Sequence, residues 1–241
     1  MNKFCCLLFS DAGLGKTPFS GTLQEFEKTS PCLFLDVDQG TMSLDSMKDK
    51  PTIVPIETWN ELSGLYPILK ARQWEGLAVK LSLLCGHEVP VLQYKSIVID
   101  SGTELEYRLR SSISTGEIPT QPDYLTVQER FRKMYRSFRD LDSMSLVMTA
   151  GVRELKDDVL GTVRHTPMFQ PGLTKDLQRM SDFIFFMDMK LKGEGDNRKW
   201  VKTIQTTPTQ RAIARSRSDK LKNNPEGEKF YWKDILKDVL D

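Results

Sequence analysis

The chain has 241 residues, enough for one large α/β domain with a sizeable core, and its formal net charge is +1. That balance excludes a global electrostatic field aimed at nucleic acid or membrane, so any contact with DNA has to come from a local patch. The four cysteines (Cys5, Cys6, Cys32 and Cys85) form no C-x-x-C pair, and with only two histidines beside them they read as reduced core thiols of a cytoplasmic protein rather than a zinc site.

No apolar run approaches membrane-spanning length, and Asp11 follows the first apolar run too soon for a signal peptide. That run, Phe4 to Phe9, reads as a strand. It leads into S-D-A-G-L-G-K-T, Ser10 to Thr17, and a helical segment is expected from Phe19 to Lys28. Strand, glycine loop, Gly-Lys-Thr and helix is the layout of a phosphate-binding P-loop. Gly13 and Gly15 let the backbone turn its N–H groups inward around phosphate oxygens, with Asp11, Ala12 and Leu14 completing the cradle. Lys16 then reaches the β- and γ-phosphates of ATP, and the Thr17 hydroxyl holds Mg²⁺. Two positions depart from the pattern. Ser10 stands where glycine is expected, and Pro18 stands where an N–H is usually offered to the α-phosphate; the expectation is a looser grip there, not loss of the site.

Pro31 to Val37 reads as a buried strand ending in Asp36 and Asp38. In open α/β sheets ligands sit at the carboxyl ends of strands, so Asp38 is placed either to orient or deprotonate an attacking water or to cap the turn Gln39 to Ser43; Asp36 reads as a cap. Thr52 to Ile56 is a short edge strand, because Pro55 cannot donate to a ladder. Thr58 to Cys85 is mostly helical, divided at Pro67 and at the Trp74-Glu75-Gly76 step. Ser96 to Ser101 is a buried parallel strand whose end, Asp100, is the expected acid beside Mg²⁺ on a strand neighbouring the P-loop.

A helix follows from Thr103 to Ser114, then a loop from Gly116 to Asp123. Tyr124 to Leu141 is the clearest amphipathic helix, with Val127, Phe131, Met134, Phe138 and Leu141 on one face. Its arginines and Lys133 read as a solvated face first, with a DNA-facing or phosphate-facing surface as the alternative. Leu146 to Ala150 is another buried strand, placing Thr149 where it senses the γ-phosphate. The polar, basic stretch Gly151 to Gly172 carries Arg153, Lys156, Arg164 and His165; it is either a DNA-binding loop or a surface hairpin without ligand. A helix from Leu173 to Ser181 comes next. Phe183 to Leu191 and Trp200 to Thr206 then form a hairpin through residues 193–197, and Ala212 to Arg217 is a short strand ending in Arg215 and Arg217. Asn223 to Glu228 is a polar break before an amphipathic helix, Lys229 to Leu240.

This series resembles the RecA-like P-loop ATPase core: Gly13-Leu14-Gly15-Lys16-Thr17, the acid in Leu35-Asp36-Val37-Asp38, the strand Ile97-Val98-Ile99-Asp100-Ser101, the polar strand end at Thr149 and a late Arg-x-Arg. With its length and the run Thr166 to Gly172, the chain is similar to small phage-encoded nucleotide-binding proteins linked to recombination and single-strand annealing. The resemblance implies an α/β fold with a mostly parallel central sheet flanked by helices, a core over residues 1–224 and a helical tail over 225–241. It implies ATP and Mg²⁺ as ligands and Asp38 in place of the usual catalytic glutamate. It further implies a homo-oligomer, ring or filament, with ATP at subunit interfaces that Arg215 and Arg217 complete. Single-stranded DNA, and a single-strand binding protein, are the implied partners, in a host cytoplasm if the protein is phage-encoded. Two other classes stay open: a nucleoside or nucleotide kinase, with Arg132 and Arg136 as a basic lid, and a nucleotide-dependent binding module with little turnover.

Overall fold

Alternation along the apolar runs is the key to the architecture. In a computed structural model of the protein, which describes residues 3–114, 119–157, 162–193, 198–221 and 224–240, those runs become strands buried on both faces. In chain order the elements are β1 (Cys5–Phe9), α1 (Lys16–Gly21), β2 (Cys32–Asp36), β3 (Thr52–Pro55), α2 (Trp59–Lys70), α3 (Trp74–Cys85), β4 (Ser96–Asp100), α4 (Gly102–Ile113) and α5 (Gln121–Arg139). They continue with β5 (Ser145–Ala150), β6 (Val152–Asp157), β7 (Thr162–Pro167), α6 (Pro171–Met180), β8 (Phe183–Lys192), β9 (Lys199–Gln205), β10 (Arg215–Ser216), β11 (Glu226–Gly227) and α7 (Trp232–Leu240).

The main sheet runs β11-β9-β8-β1-β5-β4-β2-β3, with β10 also paired to β8. From β8 to β3 every neighbour is parallel, and β9, β10 and β11 add antiparallel pairs. This is the mostly parallel α/β sheet with a late hairpin that the sequence predicts. β3 is an edge strand, as Pro55 requires.

Successive strand residues point to opposite faces, and each face carries its own core. Leu7, Phe9, Leu33, Leu35, Ile97, Ile99, Leu146 and Met148 pack beneath α2 to α6. Cys6, Leu8, Phe34, Val98, Val147, Phe183 and Phe185 pack beneath α1 and α7. Burial pushes the thiols of Cys5 and Cys32 up to about 12, so both stay protonated in the core. No helix among the described residues is long and apolar enough to cross a membrane.

Several boundaries differ from the sequence reading. The expected helix from Phe19 to Lys28 is shorter: α1 ends at Gly21 and a 3₁₀ turn covers Thr22–Glu25. Pro67 does not divide the helical segment but sits inside α2; the break comes at Arg72, whose φ of 52° leaves the helical region. Gly151 to Gly172 is not a loop throughout, since β6 and β7 pair as a separate two-stranded hairpin. Of the expected strand from Ala212 to Arg217, only Arg215–Ser216 pairs with β8, while Ala212 bridges to His165. The turn residues Asp158 and Gly161, loop residues 116–118, hairpin residues 194–197 and Asn223 lie outside the described residues.

The second core ties the last helix to the P-loop helix. Trp232, fully buried at the start of α7, stacks on Phe19 of α1 with centroids 4.6 Å apart and planes 11° apart. It also packs on Phe4 and Phe185. Trp232→Ala is expected to cost about 3–5 kcal/mol in a denaturant titration. Trp232→Phe should cost much less, because the indole Nε1 has no partner among the described residues.

Candidate nucleotide site

β1 ends at Phe9, and the chain turns through Ser10 to Gly15 before α1 begins at Lys16. Gly13 and Gly15 have φ of 78° and 99°, the left-handed region that the motif needs glycine to reach. Ser10, where glycine was expected, is fully buried and belongs to the cradle. Its hydroxyl donates to the Asp11 carbonyl at 2.7 Å and accepts from Lys16 Nζ at 3.2 Å. The Lys16 ammonium folds back over its own loop, donating also to the carbonyls of Ser10 and Asp11, each at 3.1 Å. Burial lowers the Lys16 pKa, and the nearby carboxylates of Asp100, Asp38 and Asp11 oppose that shift.

Asp100 is 3% exposed at the end of β4. Its Oδ2 accepts from the Thr17 hydroxyl at 2.6 Å, and its Oδ1 accepts from the Thr149 hydroxyl at the end of β5. Burial raises its pKa; the two hydroxyl donors hold it down. The strand carrying this acid is not next to β1, because β5 intervenes and delivers Thr149 between the P-loop and Asp100. One hydroxyl and one carboxylate oxygen form a hard donor set that suits Mg²⁺, and Thr17 and Asp100 are the residues that would hold it. When bound, that cation neutralises charge on phosphate oxygens.

Asp36 accepts from the Gly40 N–H at 3.3 Å and so caps the turn. Asp38 does not cap it. Its backbone N–H is held by the Asp100 carbonyl at 3.1 Å, and its exposed carboxylate accepts from the Ser101 hydroxyl at 2.9 Å. Asp38, Lys16, Ser10 and Glu104 line one cleft of about 340 Å³, together with Thr103 and Gly151. Glu104 is ion-paired to Arg108 at 3.0 Å, and Arg108 is spent on the carbonyls of Ile56 and Val37. Asp11 also lines the cleft, and Asp38 is less committed than Glu104.

The remaining sequence-predicted residues lie apart. Arg153, Lys156, Arg164 and His165 are on the β6–β7 hairpin. Lys156 and Arg164 are exposed; His165 instead stacks on Phe186, with ring centroids 5.2 Å apart, and bonds through its backbone N–H to Arg211. Arg215 and Arg217 are at the amino-terminal edge of the sheet, opposite the P-loop of their own chain. Arg215 donates to the Gln178 carbonyl at 2.9 Å, and Arg217 pairs with Asp182 at 2.8 Å. Arg132 is bound to Asp176 on α6, away from the cleft.

Sequence reasoning missed Ser101 and Thr103, whose roles depend on the turn from β4 into α4. It also missed Lys202, Phe230 and Tyr231. These line a second hollow, of about 510 Å³, against the outer side of Gly15 and Pro18.

A model of the AAA domain family matches residues 2–218. The chain belongs to that family. An AAA domain is a P-loop nucleotide-binding ATPase unit, and the cradle around Gly13, Gly15 and Lys16 has the backbone geometry that a phosphate site needs. No curated protein sequence matches the chain. The family match ends before α7, although Trp232 packs on the AAA domain's own P-loop helix.

Removing the cation over the phosphates tests this site directly. Lys16→Ala is expected to abolish or severely weaken ATP binding by calorimetry, whereas Asp100→Asn should keep part of the binding and lose Mg²⁺-dependent turnover. Wild-type affinity in the Lys16 variant would falsify the P-loop assignment.

Proposed function

We propose that this AAA domain hydrolyses ATP and couples hydrolysis to single-stranded DNA, in phage-type recombination or strand annealing. The observation that carries the proposal is where the β6–β7 hairpin is rooted. Its first foot, Gly151, follows Thr149 by two residues, and its second foot is Met168. Both feet bind one hydroxyl: Gly151 N–H donates to Thr103 Oγ1 at 3.0 Å, and that hydroxyl donates to the Met168 carbonyl at 3.1 Å. The hairpin therefore grows directly from the cleft that holds Lys16 and Asp38.

In this reading Lys16 neutralises the β- and γ-phosphates and Thr149, through Asp100, reports on the γ-phosphate side. Asp38 orients the attacking water and accepts its proton. Asp38→Asn should bind ATP and Mg²⁺ yet hydrolyse about 10²-fold more slowly or worse; equal turnover would move the role to Glu104.

The hairpin offers a strand both charge and apolar surface. In its antiparallel register Arg153, Leu155 and Arg164 share one face, and Lys156 and Val163 share the other. Leu155 is 46% exposed and Val163 is 37% exposed, which suits contact with unstacked bases beside phosphate-binding cations. Phosphate release should rise on adding single-stranded DNA. Arg164→Ala and Lys156→Ala should weaken DNA binding and flatten its salt dependence, by about 0.7 in the logarithmic slope for each phosphate left without its cation. A wild-type protein whose turnover and mobility ignore single-stranded DNA would remove the proposal.

An oligomer belongs to the same reading. Arg215 and Arg217 are on the edge opposite their own P-loop, which supports a role at a neighbour's site once they exchange their contacts to Gln178 and Asp182, and such a finger is worth about 10³–10⁵ in rate. Mixing Arg217→Ala subunits with Lys16→Ala subunits should restore part of the activity that each lacks alone.

A further inference from the structure

Pro18 poses a specific problem for a P-loop. It stands in the first turn of α1, where the position after the threonine normally turns an N–H toward the α-phosphate, and proline has none to give. The next N–H does not replace it, because Phe19 N donates to the Gly15 carbonyl at 3.0 Å.

A cation stands at the same spot. A side-chain carbon built on Gly15 would lie 3.6 Å from Lys202 Nζ and 3.7 Å from Pro18 Cγ. Lys202 and the proline ring therefore flank Gly15 together, on the outer rim of the loop. The fold brings Lys202 there by overrunning the sheet. β1 ends opposite Phe186 of β8, but β8 continues to Lys192, and Lys202 on β9 is paired with Met189. Three residues past the end of β1 correspond to about 10 Å of extra strand, which carries β9 alongside the P-loop. Lys202 is also paired on its other side, to Gly227 of β11, so its backbone is held from both directions.

The surroundings indicate what this ammonium is for. Among the described residues the Lys202 ammonium has neither an ion-pair nor a hydrogen-bond partner. It borders the 510 Å³ hollow that Pro18, Met47, Phe230 and Tyr231 also line, and that hollow shares no lining residue with the cleft that holds Asp38. A triphosphate with its γ end beside Lys16 and Asp38 and its chain passing Gly15 would bring its α-phosphate to Lys202 and its base to that hollow.

We infer that Lys202 binds the α-phosphate of the nucleotide, supplying from β9 the contact that Pro18 withholds from α1. An ammonium is a point charge on a flexible stem, so it can reach a phosphate oxygen without the fixed geometry an amide needs, and the bond is charge-assisted. The hollow, lined by the rings of Phe230 and Tyr231 together with polar side chains such as Ser46 and Asp49, then receives the nucleoside. This inference rests on nucleotide occupying the P-loop.

The test is a cycle of four proteins titrated with Mg–ATP by calorimetry: wild type, Lys202→Met, Pro18→Ala, and the double variant. Lys202→Met keeps the apolar stem and removes the charge; it should lose about 10- to 100-fold in ATP affinity. Pro18→Ala returns an N–H at a position where a helix tolerates either residue, so alone it should fold like wild type and raise ATP affinity only modestly while Lys202 is present. In the Lys202→Met background it should recover most of the missing affinity. That rescue is what a merely structural lysine would not produce, and thermal melts matching wild type confirm that all four are folded. Wild-type affinity in Lys202→Met, or no rescue by Pro18→Ala in folded protein, overturns the inference. Loss of binding in Lys16→Ala beside either result leaves the P-loop reading standing, whereas a wild type that binds no nucleotide removes both.

Discussion

The Asp100 carboxylate is where three separate pieces of chain are made to agree. It ends β4, receives a hydroxyl from α1 through Thr17, and receives another from the end of β5 through Thr149. Almost fully buried, it would be expensive to keep ionised without partners. The two hydroxyls, with the Lys16 ammonium nearby, make the charge tolerable, and the same contacts set the spacing between P-loop and sheet. Move β5 and Asp100 loses a donor; move α1 and it loses the other. The carboxylate is thus both the acid a divalent cation needs and the point that aligns the P-loop with the sheet.

Much of this was legible because each piece announces itself locally. A parallel strand buried on both faces has no polar residues to spare, so the polar residue that ends one stands out: Asp100 after Ile99, Thr149 before Ala150, Ser10 after Phe9. The glycine spacing of the P-loop is equally local, because the loop's own φ angles demand it. What was not legible depends on which segments meet. Nothing near Lys202 in sequence distinguishes it from Lys199 or Lys190; only the overrun of β8 and β9 past β1 brings it to Gly15. Thr103 looked like the start of a helix, and its work as a clamp on Gly151 and Met168 appears only once β5 and the hairpin are in place. The short α1 was overread for a related reason. Apolar spacing continues past Gly21, but the chain tightens into a 3₁₀ turn to bring Leu23 under Trp232.

The two faces of the sheet divide the labour. α2 to α6 cover one face with conventional apolar packing, and α4 there also supplies Thr103 and Glu104 to the cleft. The other face is covered chiefly by α1 and α7, with Leu23, Leu44 and Leu221 beside them, through the aromatic stack of Phe19, Trp232, Phe4 and Phe185. Because α1 has less than two full turns, it contributes little dipole of its own; the loop amides and side-chain cations must do most of the phosphate binding. The last helix holds that short helix steady from behind.

The self-contacts of Lys16 change what it means for an anion to enter this loop. The ammonium already has three oxygen acceptors within 3.2 Å, two of them carbonyls of the cradle itself. Entry is therefore an exchange: the incoming group gains only the difference between its own bonds to the lysine and those the loop gives up. A small, singly charged anion offers little difference and is turned away by the loop acting as its own competitor. A polyphosphate, which engages the amides as well as the ammonium, wins the exchange decisively. The resting position of this one side chain thus sets what an entering phosphate group has to exceed, before any contact with a base or a sugar is made.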